Sequence, residues 1–432
     1  MAKIVPFCGL RYNAQKVGDI GAVIAPPYDV IKTEEQIALE NSHPNNIVRL
    51  ILNRPNENDT ETDNPYARSA ALLSNWRAEG VLIRDASPCY YLYAQTFTTP
   101  DGTTYTRRAL IALGRLEAFG TGVVFPHEKT LAAPKADRLN LMRACHANLS
   151  PIFVLYPDPE GGIQEAVSRF TLTNSPIVDT AERFGSTHQL WRIDRFELNR
   201  EIQGLFSTKS LVIADGHHRY ETALAFRDEI RAQSAQWTGE EGYNYVMMNL
   251  VQMESPGLAI LAIHRQLGGL CPDTLSDAMR QLPKSFDVTT YKNVNDLLVN
   301  LQGHAGKRPA FGLYFGGEDY HLLVPRIDEN TVRSVYDSLD VTLLHTRVIQ
   351  PLFGIDTTIP EHQKQVSYTV HPDEAVAYVN AGAGRAALLM NPTPVSDVRE
   401  VAMGGETMPQ KSTYFYPKMA TGLVLNLLND SN

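Results

Sequence analysis

The chain has 432 residues, 39 lysines and arginines against 48 aspartates and glutamates, a formal charge of −9, and 43% hydrophobic residues. This is ordinary globular composition over enough chain for two or three domains, and it excludes a disordered or fibrous protein. The acidic balance disfavours a nucleic-acid binder, and the longest apolar runs, such as 257–263, fall far short of the ~20 residues of a spanning helix. The first residues lack the apolar run and cleavage site of a signal peptide. Cysteines at 8, 89, 145 and 271 are too widely spaced for a zinc knuckle or a redox pair. A cytoplasmic protein with free thiols is expected.

In chain order, residues 25–31 (Ala-Pro-Pro-Tyr-Asp-Val-Ile) are stiffened by their prolines. Residues 53–65 are polar, acidic and proline-bounded, a surface loop. Ala70, Leu73 and Trp76 recur at helical spacing within 66–79. Residues 89–98 and 104–116 alternate as strands around Pro100-Asp101-Gly102, a hairpin. A short buried strand follows at 149–156, a helix after Gly161-Gly162, a strand at 210–214 and a helix at 220–232. The C-terminal third mixes strands at 310–315 and 320–324 with helices around 332–350. The fold class is α+β with mixed sheets, divided as an N-terminal α/β region (1–105), a core (106–268) and a C-terminal α/β domain (269–432).

Three segments carry candidate chemistry. In the first, an apolar strand stops at Asp215-Gly216 and runs into His217, His218, Arg219 and a helix beginning near Tyr220. The N–H groups of a helix start, with glycine permitting close backbone approach, suit an anion. Arg219 can grip phosphate with two bonds, and the histidines can donate further ones. Asp215 can hold a magnesium ion or a substrate hydroxyl. The plain alternative makes Asp215 a helix cap and the histidines surface residues. The second segment is Val124-Phe125-Pro126-His127-Glu128-Lys129-Thr130-Leu131, followed by Lys135, Asp137 and Arg138. Glu128 can serve as a general base if burial raises its pKa; otherwise this is a charged loop. The third, Gly404 to Lys418, contains Glu406, Pro409, Lys411, Ser412 and Thr413. Its Lys-Ser-Thr run looks like the end of a P-loop but lacks the required glycine, leaving a loop able to offer hydroxyl and ammonium contacts.

Ala214-Asp-Gly-His-His-Arg-Tyr-Glu-Thr-Ala223, with residues 25–31, 107–116, 126–128 and 405–422, resembles the domain-of-unknown-function 1015 family over most of the chain. The same Asp-Gly-His-His-Arg run is similar to that of the archaeal free serine kinases in the ParB/sulfiredoxin superfamily. These also carry a Pro-His-Glu segment and a late Gly-Glu, Pro, Lys-Thr-Thr series preceded by Ala-Pro-Thr. Here the counterparts are Pro126-His127-Glu128, Gly405-Glu406, Pro409, Lys411-Ser412-Thr413 and Asn391-Pro392-Thr393, in the same order. Ser412 stands where the kinases have threonine, and long extra segments precede Glu128 and separate it from Asp215.

The resemblance implies a ParB/sulfiredoxin-like core and a kinase that phosphorylates free L-serine to O-phosphoserine, with ATP, ADP or pyrophosphate as donor and Mg2+. It implies Glu128 and Asp215 as catalytic residues, with Gly216, His217, His218 and Arg219 on the donor phosphates. His127, Glu406, Lys411, Ser412 and Thr413 are implied on the substrate. A phosphatase using the same cradle, or a non-catalytic ParB-like nucleotide-binding protein, are the alternatives. The latter calls for a DNA-binding segment, and neither a helix-turn-helix nor a basic surface is read here.

Overall fold

The computed structural model describes residues 1–128, 132–183, 185–326 and 334–428, with the backbone alone at 132–134. Lys129, Thr130 and Leu131 of the second segment, and the start of the expected 332–350 helical stretch, lie outside the described residues. The chain forms two compact units. The first is 1–126, 130–259 and 417–432; the second is 127–129 and 260–416.

The first unit is built on a nine-stranded mixed sheet. Its spatial order is Val124–Pro126, Leu211–Asp215, Ile152–Tyr156, Tyr245–Gln252, Thr104–Arg115, Tyr90–Thr98, Thr187–Ile193 and Val178–Ala181, with Ile4–Val5 paired to Thr104–Arg115. Leu211–Asp215 runs parallel to Val124–Pro126 and antiparallel to Ile152–Tyr156, which runs parallel to Tyr245–Gln252. The central strands read as unbroken apolar runs because both faces are covered, and every residue of Ile152–Tyr156 is buried. The hairpin behaves differently: Thr104–Arg115 alternates at its outer end and becomes wholly buried toward its middle. The core gathers Leu92, Leu110, Val154, Ile213, Tyr220 and Leu250, among others.

The second unit has a six-stranded sheet, every neighbouring pair antiparallel: Phe286–Tyr291, Tyr320–Pro325, Phe311–Tyr314, Ala386–Met390, His264–Leu267 and Val366–Thr369. Val294–Gln302 and Pro372–Asn380 lay Leu297, Leu301, Ala375 and Val379 onto it. The expected combination of helices and sheets is present, but of these two sheets only that of the first unit is mixed.

The hairpin and the strands at 152–156 and 211–215 fall within a few residues of expectation. One boundary moves. The helix expected near Tyr220 spans His217–Gln233, directly after Gly216. The helix takes in His217, His218 and Arg219 because one residue is enough to turn this chain: Gly216, at φ +91°. Among the described residues no helix is long and apolar enough to cross a membrane. All four cysteines are free.

Candidate active site

In the first unit the site begins with a register fault. Ile213 pairs with Val154 but Asp215 with Phe153, so Ala214 is an extra residue, a β-bulge at the strand end. Such bulges re-aim the side chain that follows. Gly216 then adopts the left-handed conformation that glycine alone visits cheaply. A Cβ there would also lie 2.9 Å from Arg219 Nη2. Gly216, as the N-cap, has no side chain of its own to cap the helix, whose N terminus carries a partial positive charge.

Asp215 is not a helix cap. Its Oδ2 accepts from Arg219 Nη2 at 2.7 Å, and its Oδ1 accepts from Lys418 Nζ. Burial pushes the carboxyl up, but Lys418 and then Arg219 outweigh it and hold Asp215 well below the ordinary carboxylate range. Arg219 Nη1 donates to the Pro151 carbonyl, so the helix start is tied to the neighbouring strand. Lys418 closes the third segment, and the sequence reading had given it no role. Its placement is built from the hairpin. Gln95 Nε2 donates to the Lys418 carbonyl at 3.2 Å, and the fully buried Arg107 donates to Gln95 Oε1 at 2.6 Å and to the Pro417 carbonyl at 2.5 Å. Burial pulls Arg107 down to about 10, opposed by Tyr93 and Asp215. Arg107 belongs to the 107–116 segment that family resemblance marked without a role.

Tyr28, Arg138 and Arg219 line a hollow of ≈ 40 Å3, room for about one or two waters. The Arg138 guanidinium lies 4.0 Å from the Tyr28 ring centroid, a cation–π contact, while its Nη1 donates to Ile51 O at 2.7 Å. The stiff 25–31 segment, the second segment and the His217–Gln233 helix thus meet through these three side chains. His217 is buried at the first helical position and His218 is partly exposed.

In the second unit the second and third segments meet. Glu128 pairs with Met408 as an isolated parallel bridge, and its Oε1 accepts the Lys411 backbone N–H at 3.0 Å across 283 positions. Met408 N donates to the His127 carbonyl at 2.7 Å, and His127 Nε2 lies 2.8 Å from Thr413 Oγ1. His127 is 1% exposed and packs edge-on to Phe415, which makes it a holder of the loop. Lys411 takes a left-handed φ of +59°, uncommon for a residue with a side chain. That strain is held by Glu128 at its N–H and by Arg265 Nη2 at its carbonyl, 2.9 Å away. The Ser412 hydroxyl donates to the Pro409 carbonyl at 2.5 Å. Glu406 is exposed, its N–H closing the preceding helix on Val401.

The residues do not fit a resident magnesium ion. Both oxygens of Asp215 are engaged by cations, and among the described residues no group of three or more His, Cys, Asp or Glu side chains is placed to hold a metal.

A family model described as "Protein of unknown function (DUF1015)" matches residues 4–342. The chain belongs to this family. No curated protein matches it. Among solved structures it is similar to a conserved hypothetical protein from Pyrococcus furiosus, with 13% identity, a TM-score of 0.32, and 69% of this chain and 92% of that one covered. Free serine kinase in complex with AMP is similar at 12% identity and a TM-score of 0.34, covering 69% and 88%. C-terminally truncated SbnI from Staphylococcus aureus is similar at 11% and 0.35, covering 73% and 87%.

Proposed function

We propose that the chain is a phosphotransferase that moves a phosphoryl group from ATP, ADP or pyrophosphate to the hydroxyl of free L-serine, giving O-phosphoserine. The supporting observation is that motif segments remote in sequence hydrogen-bond to one another within each unit: Glu128 and His127 with Lys411 and Thr413, and Asp215 with Lys418. On this reading the nine-stranded sheet is the ParB/sulfiredoxin-like core that the motif resemblance implies.

Phosphoryl transfer needs positioning and charge neutralisation more than covalent help. Gly216, His217, His218 and Arg219 receive the donor phosphates at the start of the helix. Asp215 is a positioning residue: it fixes the Arg219 and Lys418 cations between which an anion can settle, rather than binding substrate or metal itself. Glu128 takes the hydroxyl proton as the serine oxygen attacks phosphorus and the bond to the leaving phosphate breaks. Lys411 is the loop cation for the amino-acid carboxylate or the transferring phosphoryl group, with Ser412, Thr413, His127 and Glu406 shaping its loop. Magnesium, if it enters, arrives on the donor phosphates.

The test is phosphorus NMR on the purified chain with L-serine and a panel of hydroxyl compounds against ATP, ADP and pyrophosphate, with and without Mg2+. A phosphomonoester signal matching O-phosphoserine is expected. Release of inorganic phosphate alone would make the chain a hydrolase, and no turnover of any donor would remove the reading.

A further inference from the structure

The second unit contains an open pocket of ≈ 260 Å3, lined by Lys307, Arg308, Asp340, Asn391, Thr393 and Asp397 among others. Drug-sized ligands occupy pockets of ~300–1,000 Å3, so this one suits something smaller. Its charges are unusual. Asp340 has no cation or hydrogen-bond donor on its carboxylate among the described residues, and Asp397 has only the Ser396 hydroxyl, at 3.1 Å. Burial, reinforced for Asp340 by Asp397, pushes Asp340 up to about 6 and raises Asp397 as well. Lys307 and Arg308 line the same pocket and are exposed, yet neither forms an ion pair with these acids; they donate to the Gly303 and Pro325 carbonyls. Folding ordinarily compensates buried carboxylates with cations. Here the two acids are half-buried and the two cations exposed, and Asn391 and Thr393 line the same pocket.

We propose that this pocket is a binding site for a free α-amino acid, its ammonium held between Asp340 and Asp397 and its carboxylate facing Lys307 and Arg308. Acids and bases lining one pocket offer both charges that a zwitterion needs. A simple cation would leave Lys307 and Arg308 without a part, and a simple anion would have to sit against two carboxylates. Asn391, tied to the Leu301 carbonyl at 2.8 Å, and Thr393, donating to the Ser412 carbonyl at 2.8 Å, give the wall fixed polar groups. The site goes beyond the phosphotransfer reading and does not depend on it.

The experiment is calorimetric titration of the full chain with amino acids that lack a hydroxyl, which keeps it separate from the proposed phosphoryl acceptor. Ethylamine, propionate and Mg2+ are control probes. At least one amino acid should bind, with ethylamine and propionate each at least tenfold weaker. Asp340→Asn should weaken that amino acid at least tenfold while the melting temperature stays the same or rises, since the substitution relieves repulsion with Asp397; Arg308→Gln should weaken it severalfold. Binding of no amino acid, equal binding by Asp340→Asn, or Mg2+ binding in place of the amino acid would overturn the proposal.

Discussion

Asp215 in the first unit and Asp340 in the second are both carboxylates withdrawn from water, and their acidities move in opposite directions. Asp215 sits between Lys418 and Arg219 and is held well below the ordinary range; Asp340, beside Asp397 and with no cation on its carboxylate among the described residues, rises to about 6. Burial raises both. The neighbours decide the sign. A compensated carboxylate is an anchor that fixes cations in place, and an uncompensated one is poised for a cationic group from outside.

The comparison breaks most forcefully at Lys418. Lys418→Met removes one partner of a largely buried ion pair and leaves Arg219 as the salt-bridge partner of Asp215 among the described residues. Such a loss costs about 3 kcal/mol, visible as a lower urea midpoint. A cost under about 1 kcal/mol would show that the pair is not the anchor described. The second effect is a pH slope. The folded-state pKa of Asp340 lies above the ordinary aspartate value of 3.8, so its contribution is complete below ~pH 4 and is lost as pH rises through about 6. Asp215 has the reverse sign: it stabilises above ~pH 4, and that contribution is lost as pH falls through its depressed pKa. The stability of Asp340→Asn relative to the parent should therefore grow between pH 4.5 and 7. The gain is about 2 kcal/mol, from ~1.4 kcal/mol per pKa unit with a discount for partial exposure. A flat difference would deny that Asp340 is uncompensated.

The smallest effect separates strain from displacement. Gly18 and Gly216 both have positive φ, but a Cβ at Gly18 meets nothing within 4 Å, whereas at Gly216 it meets the Arg219 guanidinium. Both alanine variants carry the left-handed penalty of ~1–2 kcal/mol. Gly216→Ala should cost about 1 kcal/mol more by disturbing the Asp215–Arg219 pair. Equal costs in thermal unfolding would mean that Arg219 moves aside freely.

What could be read from the sequence follows from where each signal resides. The hairpin was legible because alternation and Pro100-Asp101-Gly102 are local. The strand before Asp215 was legible because a run buried on both faces is apolar throughout. The helix begins three residues before the expected Tyr220 because a single left-handed glycine, Gly216, is enough to turn the chain. Glu128 and Lys411 were both singled out, but not the bond between them, which spans 283 positions. Lys418, which reaches Asp215 across 203 positions, ends the third segment but carries no role in the sequence reading. A lysine beside Pro417 looks like any surface lysine until Gln95 and Arg107 are seen holding its backbone. Asp340 has no local signature either, because its burial is a product of tertiary packing.

The most direct test of the phosphotransfer account is Glu128→Gln, assayed for phosphoserine formation and, separately, for donor binding by calorimetry. Glutamine keeps the acceptor for the Lys411 N–H and so the shape of the loop, but cannot take a proton. The account predicts donor affinity within about threefold of the parent and kcat lower by ~10²–10⁴-fold. A variant that turns over within a few fold of the parent, with the same donor affinity, would contradict it.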